Sequence, residues 1–133
     1  MEMDINQQYN NIAFKLKDGN GLIKEYYYNG KLKFEGEYLN GKKNGKVKVY
    51  EMYSGDIIFE GEYLNDERNG KGKEYNGNLI FEGEYLNGKR NGKGKEYGYD
   101  GSLKFEGEYI NGKRNGKGKE YYDTGELSFE WNI

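Results

Sequence analysis

Four pairs of glutamates, Glu35/Glu37, Glu60/Glu62, Glu82/Glu84 and Glu106/Glu108, come closest to a catalytic constellation in this sequence. Two carboxylates flanking a glycosidic bond can divide acid and base roles, and residues i and i+2 of a strand lie roughly 6.5–7 Å apart by backbone rise. The pair recurs four times, however, with lysines available opposite each copy. An active site is normally one asymmetric constellation whose supporting groups perturb pKa values. A solvated Glu–Lys ladder accounts for the glutamates without any reaction. The chain has no histidine and no cysteine, which removes the usual acid–base side chain near neutral pH, the thiolate nucleophile and the commonest metal ligands. Gly-Lys-Gly-Lys lacks the glycine spacing, the Ser/Thr and the following helix of a phosphate loop. Asp56, Asp66 and Asp100 are too scattered for a calcium site. The expectation is a protein with no catalytic residues, no cofactor and no metal, and so not an enzyme.

The glutamates belong to a repeat. Phe-Glu-Gly-Glu-Tyr occurs at Phe34–Tyr38, Phe59–Tyr63, Phe81–Tyr85 and Phe105–Tyr109, and a fifth copy begins at Phe129-Glu130 and turns into Trp131. A second half-repeat follows each of the first four, starting at Gly45, Gly70, Gly92 and Gly116. Asn20–Tyr26 matches that half-repeat too, and Phe14 stands where a Tyr38 equivalent would be. Period-two patterning makes each half a strand: Leu32, Phe34, Gly36 and Tyr38 share one face, while Glu35 and Glu37 share the other. Asn40-Gly41, Asn44-Gly45, Asn29-Gly30, Ser54-Gly55, Asn76-Gly77, Asp100-Gly101 and Thr124-Gly125 are turn signals. Pairing Tyr38 with Gly45 and Gly36 with Val47 sets Glu37 opposite Lys46 and Glu35 opposite Lys48, leaving glycine room beneath the aromatic rings. The expected architecture is all-β: about ten antiparallel strands as consecutive β-hairpins, in an open, elongated, twisted sheet. One domain spans 1–133, with an N-terminal segment at 1–13 and about five repeats over 14–133, the last truncated.

Three groups of residues on these elements are candidate binding surfaces. Lys42, Lys43, Arg68, Lys89, Arg90, Lys113 and Arg114 fall in equivalent turns, at a repeat rise of roughly 10 Å, two strand spacings. They would form a basic ridge for an anionic partner such as lipid headgroups or an acidic protein; the bland alternative is that hairpin tips are simply polar. A pI near 5.4 and the lack of aromatics in those turns argue against nucleic acid. Tyr50, Tyr75, Tyr97 and Tyr121, with Leu39, Leu64, Leu86 and Ile110, would flank the Glu–Lys ladder as a protein-binding surface, unless sheet twist folds them into a secondary core. Finally, Leu127, Phe129, Trp131 and Ile133 form an apolar strand with no partner half-repeat after it. An uncapped edge of this kind predicts a tail-to-tail homodimer through Glu126–Ile133, its rival being cover within one chain by the N-terminal segment or a loop.

Composition agrees with a repeat rather than a conventional core. Leu, Ile, Val and Phe number 25 of 133 residues, so the burial must come from 15 tyrosines and 6 phenylalanines. The net charge of −2 follows from the ladder without invoking a partner. No secretory leader or membrane-spanning run is visible, which reads as a cytoplasmic protein with membrane association left open.

The string Phe81-Glu-Gly-Glu-Tyr-Leu-Asn-Gly-Lys-Arg-Asn-Gly-Lys-Gly94 resembles the MORN repeat. The segments Tyr121–Phe129 and Tyr26–Gly36 are similar to the MORN variant of bacterial antitoxin-like proteins. The resemblance covers residues 14 to 133. It implies hairpins stacked into an extended sheet used for scaffolding and dimerisation, for contact with phosphoinositides or membranes in some members, and for an antitoxin- or immunity-like role in the bacterial variant. Departures from the pattern are Val47 and Val49, the missing glycine in Asn65-Asp66, and Trp131.

Overall fold

Alternation of side chains along extended segments, interrupted by Asn-Gly and Asp-Gly dipeptides, gives an all-β chain of consecutive hairpins in a computed structural model that describes residues 19–132. The segment 1–13, Phe14 and Ile133 lie outside the described residues. The chain divides into two compact units between Glu67 and Arg68. In the first, β1 (Gly21–Tyr26), β2 (Leu32–Leu39), β3 (Lys42–Tyr50) and β4 (Ile57–Leu64) pair antiparallel in chain order. The second contains β5 (Glu67–Asn76), β6 (Asn78–Leu86), β7 (Lys89–Tyr97), β8 (Leu103–Ile110), β9 (Lys113–Tyr121) and β10 (Leu127–Trp131), paired the same way. Ten strands and no helix among the described residues agree with the period read from the sequence.

The two-residue turns Asn40-Gly41, Asn87-Gly88 and Asn111-Gly112 have positive φ at both positions, the type I′ geometry whose twist suits a hairpin. Asn65-Asp66 adopts it without glycine (φ 48° and 70°), which Asn and Asp tolerate better than other side chains. The lost glycine therefore leaves the turn intact.

Register departs from expectation at one place in the hairpins that turn at Asn40-Gly41, Asn87-Gly88 and Asn111-Gly112. Gly36 faces Val47 and Glu35 faces Lys48 as anticipated, but Tyr38 faces Lys43 rather than Gly45. Gly83 faces Gly94 and Tyr85 faces Arg90 in the same way. A bulge lies between, so that Asn44-Gly45-Lys46 oppose Glu37 alone, with Gly45 at φ 97°. The expected tyrosine–glycine pair does form, but with the following hairpin: Gly45 faces Tyr63, Gly70 faces Tyr85 and Gly92 faces Tyr109. Local alternation fixes the partner types, and contact between successive hairpins decides which neighbour supplies the glycine.

The bulge also corrects the role of half the ladder. Glu37 does not stand opposite Lys46; its carboxylate accepts the Lys46 backbone N–H at 2.9 Å. Glu84 accepts the Lys93 N–H at 2.6 Å. These glutamates bracket an irregularity in the backbone, and a Cβ on Gly45 or Gly92 would collide with them. The other glutamates, Glu35, Glu82 and Glu106, do face Lys48, Lys95 and Lys119.

Candidate interaction surfaces

The face bearing Phe, Gly and Tyr fills itself. Phe34, Phe59, Phe81 and Phe105 are at most 1% exposed, although each lies on a single layer of sheet. Three contacts achieve this burial. The Phe81 ring lies over the Gly83–Gly94 pair, so that a Cβ on Gly94 would come 2.7 Å from it. Two tyrosines meet the ring edge-on, Tyr85 from its own strand at 5.9 Å and Tyr109 from the next hairpin at 5.3 Å. The Arg90 guanidinium covers the ring at 3.9 Å. Phe105 repeats the pattern with Tyr109 at 5.8 Å and Arg114 at 4.0 Å, and in the first unit Phe34 carries Tyr38, Tyr63 and the Lys43 ammonium at 4.4 Å.

This placement corrects the basic ridge. Lys42, Lys43, Arg68, Lys89, Arg90, Lys113 and Arg114 are not turn residues but open strands β3, β5, β7 and β9. Strand alternation then sends the second residue of each pair onto the aromatic face. Arg90 donates to Glu74 (2.9 Å) and Arg114 to Glu96 (2.8 Å) and Glu120 (2.7 Å), while Arg68 lies 5.8 Å from the Tyr85 ring centre. Cations stacked on desolvated rings are worth on the order of 1–2 kcal/mol each, and here they act as lids. Only Lys42, Lys89 and Lys113 of the seven keep the opposite orientation, each across from Leu39, Leu86 or Ile110 and exposed.

A glutamate passed over in the sequence completes each lid. Glu74 accepts the Tyr85 hydroxyl and an N–H of the Arg90 guanidinium, and Glu96 accepts the Tyr109 hydroxyl and N–H groups of the Arg114 guanidinium. In the first unit Tyr38 donates to Glu25 at 2.5 Å. Burial alone would raise the Glu74 and Glu96 carboxyls, but the hydrogen bonds from arginine and tyrosine outweigh it and hold both below the usual carboxylate range. Parity was the available signal: Glu74 is two residues after Gly72 and must share its face.

The ladder face is built differently. Tyr50, Tyr97 and Tyr121 lie half-buried on it, their hydroxyls donating to Glu35 (2.5 Å), Glu82 and Glu106 (2.5 Å). Tyr75 is half-buried in the equivalent position. Leu39 and Leu64 in the first unit and Leu86 and Ile110 in the second stay 47–51% exposed.

At the far end of the second unit, Trp131 stands opposite Gly118 with its ring 6.0 Å from Phe105. It supplies the neighbour that the next hairpin's tyrosine supplies elsewhere. Leu127 and Phe129 remain about half exposed, and β10 hydrogen-bonds to β9 alone among the described strands. Ile133 falls outside the described residues.

As for chemistry, Glu37 and Glu84 each accept a backbone N–H, and Glu35, Glu82 and Glu106 each accept a tyrosine hydroxyl and face a lysine. Among the described residues no cluster of Asp or Glu could hold a metal ion, and no helix is long and apolar enough to cross a membrane. No curated protein matches the sequence. Among solved structures, a crystal structure of TarM matches at 11% identity and a TM-score of 0.41, over 96% of this chain. The present chain spans 22% of that one. The family model of the MORN repeat matches residues 34–46, 59–78, 81–103 and 105–126, more than half of the sequence. These stretches carry the phenylalanine, glycine and tyrosine positions that build the aromatic face, and by them the chain belongs to the MORN repeat family, a non-catalytic repeat type that serves in interactions with proteins and membranes.

Proposed function

We propose that this chain is a non-catalytic scaffold that binds another protein through its ladder face. One observation carries the reading. Apart from Phe129 on the last strand, the aromatic face has consumed its own rings, whereas the ladder face keeps an aliphatic side chain about half exposed at Leu39, Leu64, Leu86 and Ile110. Tyr50, Tyr75, Tyr97 and Tyr121 add rigid, half-buried rings beside them. Regularly repeated apolar exposure of this kind is costly in a solvated surface and useful in a binding one. Leu86→Asp combined with Ile110→Asp leaves the aromatic face untouched. The double variant should keep the near-ultraviolet circular dichroism of the parent and lose a partner that cross-links to the parent in cells. A partner retained undiminished would refute the ladder face as the site.

Self-association is the simplest form of protein binding here. The outer edge of β10, with Leu127 and Phe129 exposed, is the surface for a two-fold pairing. Light scattering at micromolar concentration tests it: a monomer whose state is unchanged by Phe129→Lys removes this surface.

The exposed Lys42, Lys89 and Lys113, each across from an exposed aliphatic residue, favour a second reading as a peripheral binder of anionic lipid. Sedimentation with liposomes that contain or lack anionic lipid separates it from protein binding.

A further inference from the structure

The connections at the other ends of the strands form a surface of their own. In the second unit, β7 joins β8 through Gly98–Ser102 and β9 joins β10 through Tyr122–Glu126, each closed by backbone hydrogen bonds of 2.9–3.0 Å. Tyr99 is 77% and Tyr122 57% exposed, which makes them the most exposed aromatic side chains of that unit. They stand among Asp100, Asp123, Glu126, Ser102 and Thr124. Tyrosine with serine, glycine and acidic residues on preorganised loops gives broad, rigid contact area at low entropic cost, the composition of a protein-recognition surface. The loops are held in place: Asn78 donates to the Tyr99 carbonyl at 3.2 Å, Ser102 donates to Asp100 through its backbone N–H (3.0 Å) and hydroxyl (2.6 Å), and Lys104 pairs with Asp123.

The opposite edge of the same unit carries the complementary chemistry. The tips at Asn87-Gly88 and Asn111-Gly112 present exposed Lys89 and Lys113 beside half-exposed Leu86 and Ile110. No acidic residue occurs in 86–90 or 110–114. On the loop edge Lys104 pairs with Asp123 and also lies near Asp100, so three carboxylates, Asp100, Asp123 and Glu126, stand against one lysine, and no arginine or lysine occurs within 98–102 or 122–126. One edge is therefore cationic and aliphatic, the other anionic and aromatic. Because hairpin connections alternate between the two ends of the strands, both edges repeat at the same interval of two strand spacings, roughly 10 Å. A surface of fixed pitch is best met by another of equal pitch, and the tip edge of a second copy supplies it with opposite charge and with ammonium groups to lie over tyrosine rings.

We infer that the loop edge around Tyr99 and Tyr122 is a docking surface for the tip edge of a second copy of this chain, with Lys89 and Lys113 seated on the tyrosines and paired with Asp100 and Glu126. The contact joins two different surfaces, so it is heterologous and can extend from copy to copy side by side. It shares the tip margin of the ladder face through Lys89 and Lys113 and leaves the edge of β10 free; because its test substitutes neither Leu86 nor Ile110, its failure would leave the proposed function standing.

Sedimentation velocity on the full chain carrying Phe129→Lys, which removes pairing through the edge of β10 and serves as the parent here, tests the inference. At low salt the weight-average mass should exceed the monomer and rise with concentration, and it should fall towards the monomer in about 0.5 M salt, where charges are screened within a few ångströms. Lys89→Glu with Lys113→Glu should abolish association, and so should Tyr99→Ser with Tyr122→Ser. Tyr122→Lys with Glu126→Lys reverses the loop edge; alone it should be monomeric, but mixed with the reversed-tip variant it should associate again. Thermal melts confirm that each variant is folded. A parent that is monomeric at every concentration overturns the inference. So does association that survives the tip and loop substitutions, or reversed variants that do not recover association on mixing.

Discussion

A Cβ on Gly83 would sit 2.6 Å from the Lys93 carbonyl oxygen, 2.7 Å from Gly94 Cα and 2.8 Å from the edge of Phe81. Two of these three obstacles are backbone of the neighbouring strand and cannot yield without opening the sheet. Its cross-strand partner Gly94 meets only ring atoms, of Phe81 and Tyr109, which can tilt. The second repeat has already made one of these exchanges: Val47 stands where Gly94 would be, is buried, and keeps Gly36 opposite. Gly83→Val should therefore cost about 1–3 kcal/mol by overpacking, and Gly94→Val distinctly less. Melting temperatures decide, and equal losses at the two positions would show that the ring rather than the backbone sets the limit. The sequence already marked Gly83 as lying under aromatic rings; which member of the glycine pair is the strict one depends on how closely β6 and β7 approach.

At the scale of the hairpin, the bulge is what shifts Tyr85 onto Arg90 and frees Gly92 to face Tyr109. Gly92 at φ 100° and the Glu84 carboxylate on the Lys93 N–H hold it in place. Glu84→Ala removes the acceptor from a solvent-accessible N–H and should cost about 0.5–1.5 kcal/mol, whereas Glu84→Gln keeps an acceptor oxygen and should change stability by less than about 0.5 kcal/mol. Urea titration measures both. Equal, negligible effects would return Glu84 to the role of an exposed ladder charge, worth only a few tenths of a kcal/mol. The hairpins themselves were legible from Asn-Gly turns and alternating residues. The bulge was not, because Gly45 and Gly92 alternate correctly in either register.

For the whole molecule, ionisation sets the pH range of stability. Glu74 and Glu96 titrate below their ordinary range when folded, so the stability they confer is present above about pH 4.3 and is lost as pH falls through their folded values. At the alkaline end, burial and then the bond to glutamate push Tyr50 and Tyr97 up to about 12; for Tyr121 the bond to Glu106 is the larger cause of the same value. A raised pKa contributes stability that is whole below about pH 10 and is lost as pH climbs through 12. Burial and then Glu25, Glu74 and Glu96 push Tyr38, Tyr85 and Tyr109 higher still. Melting temperature should thus form a plateau through neutral pH and fall at both ends. Tyr97→Phe should soften the alkaline fall, and Arg90→Met should lower the plateau and soften the acid fall, since Glu74 then loses its main reason to titrate low. Phenolate absorbance followed along the titration should show ionisation of Tyr85 coinciding with unfolding; ionisation of every tyrosine near pH 10 in the folded protein would contradict the bonds described here.

The sequence alone determined the repeat, the strands and turns, the two faces and the aromatic character of one of them. Each of these depends on residues a few positions apart, through period-two alternation and the backbone demands of Asn-Gly. Tertiary structure decided where the charges went. Arg90 and Arg114 looked like hairpin-tip cations because they follow a turn, yet they close over Phe81 and Phe105 and pair with Glu74 and Glu96, 16 and 18 residues back along the chain. A single-layer sheet has no second layer to cover its rings, and the nearest long side chains of the next strand do so instead, a choice made by twist and by contacts between neighbouring hairpins. The same reasoning explains Trp131, read from sequence as part of an open edge and found against Phe105 in the position that the next hairpin's tyrosine takes at Phe81.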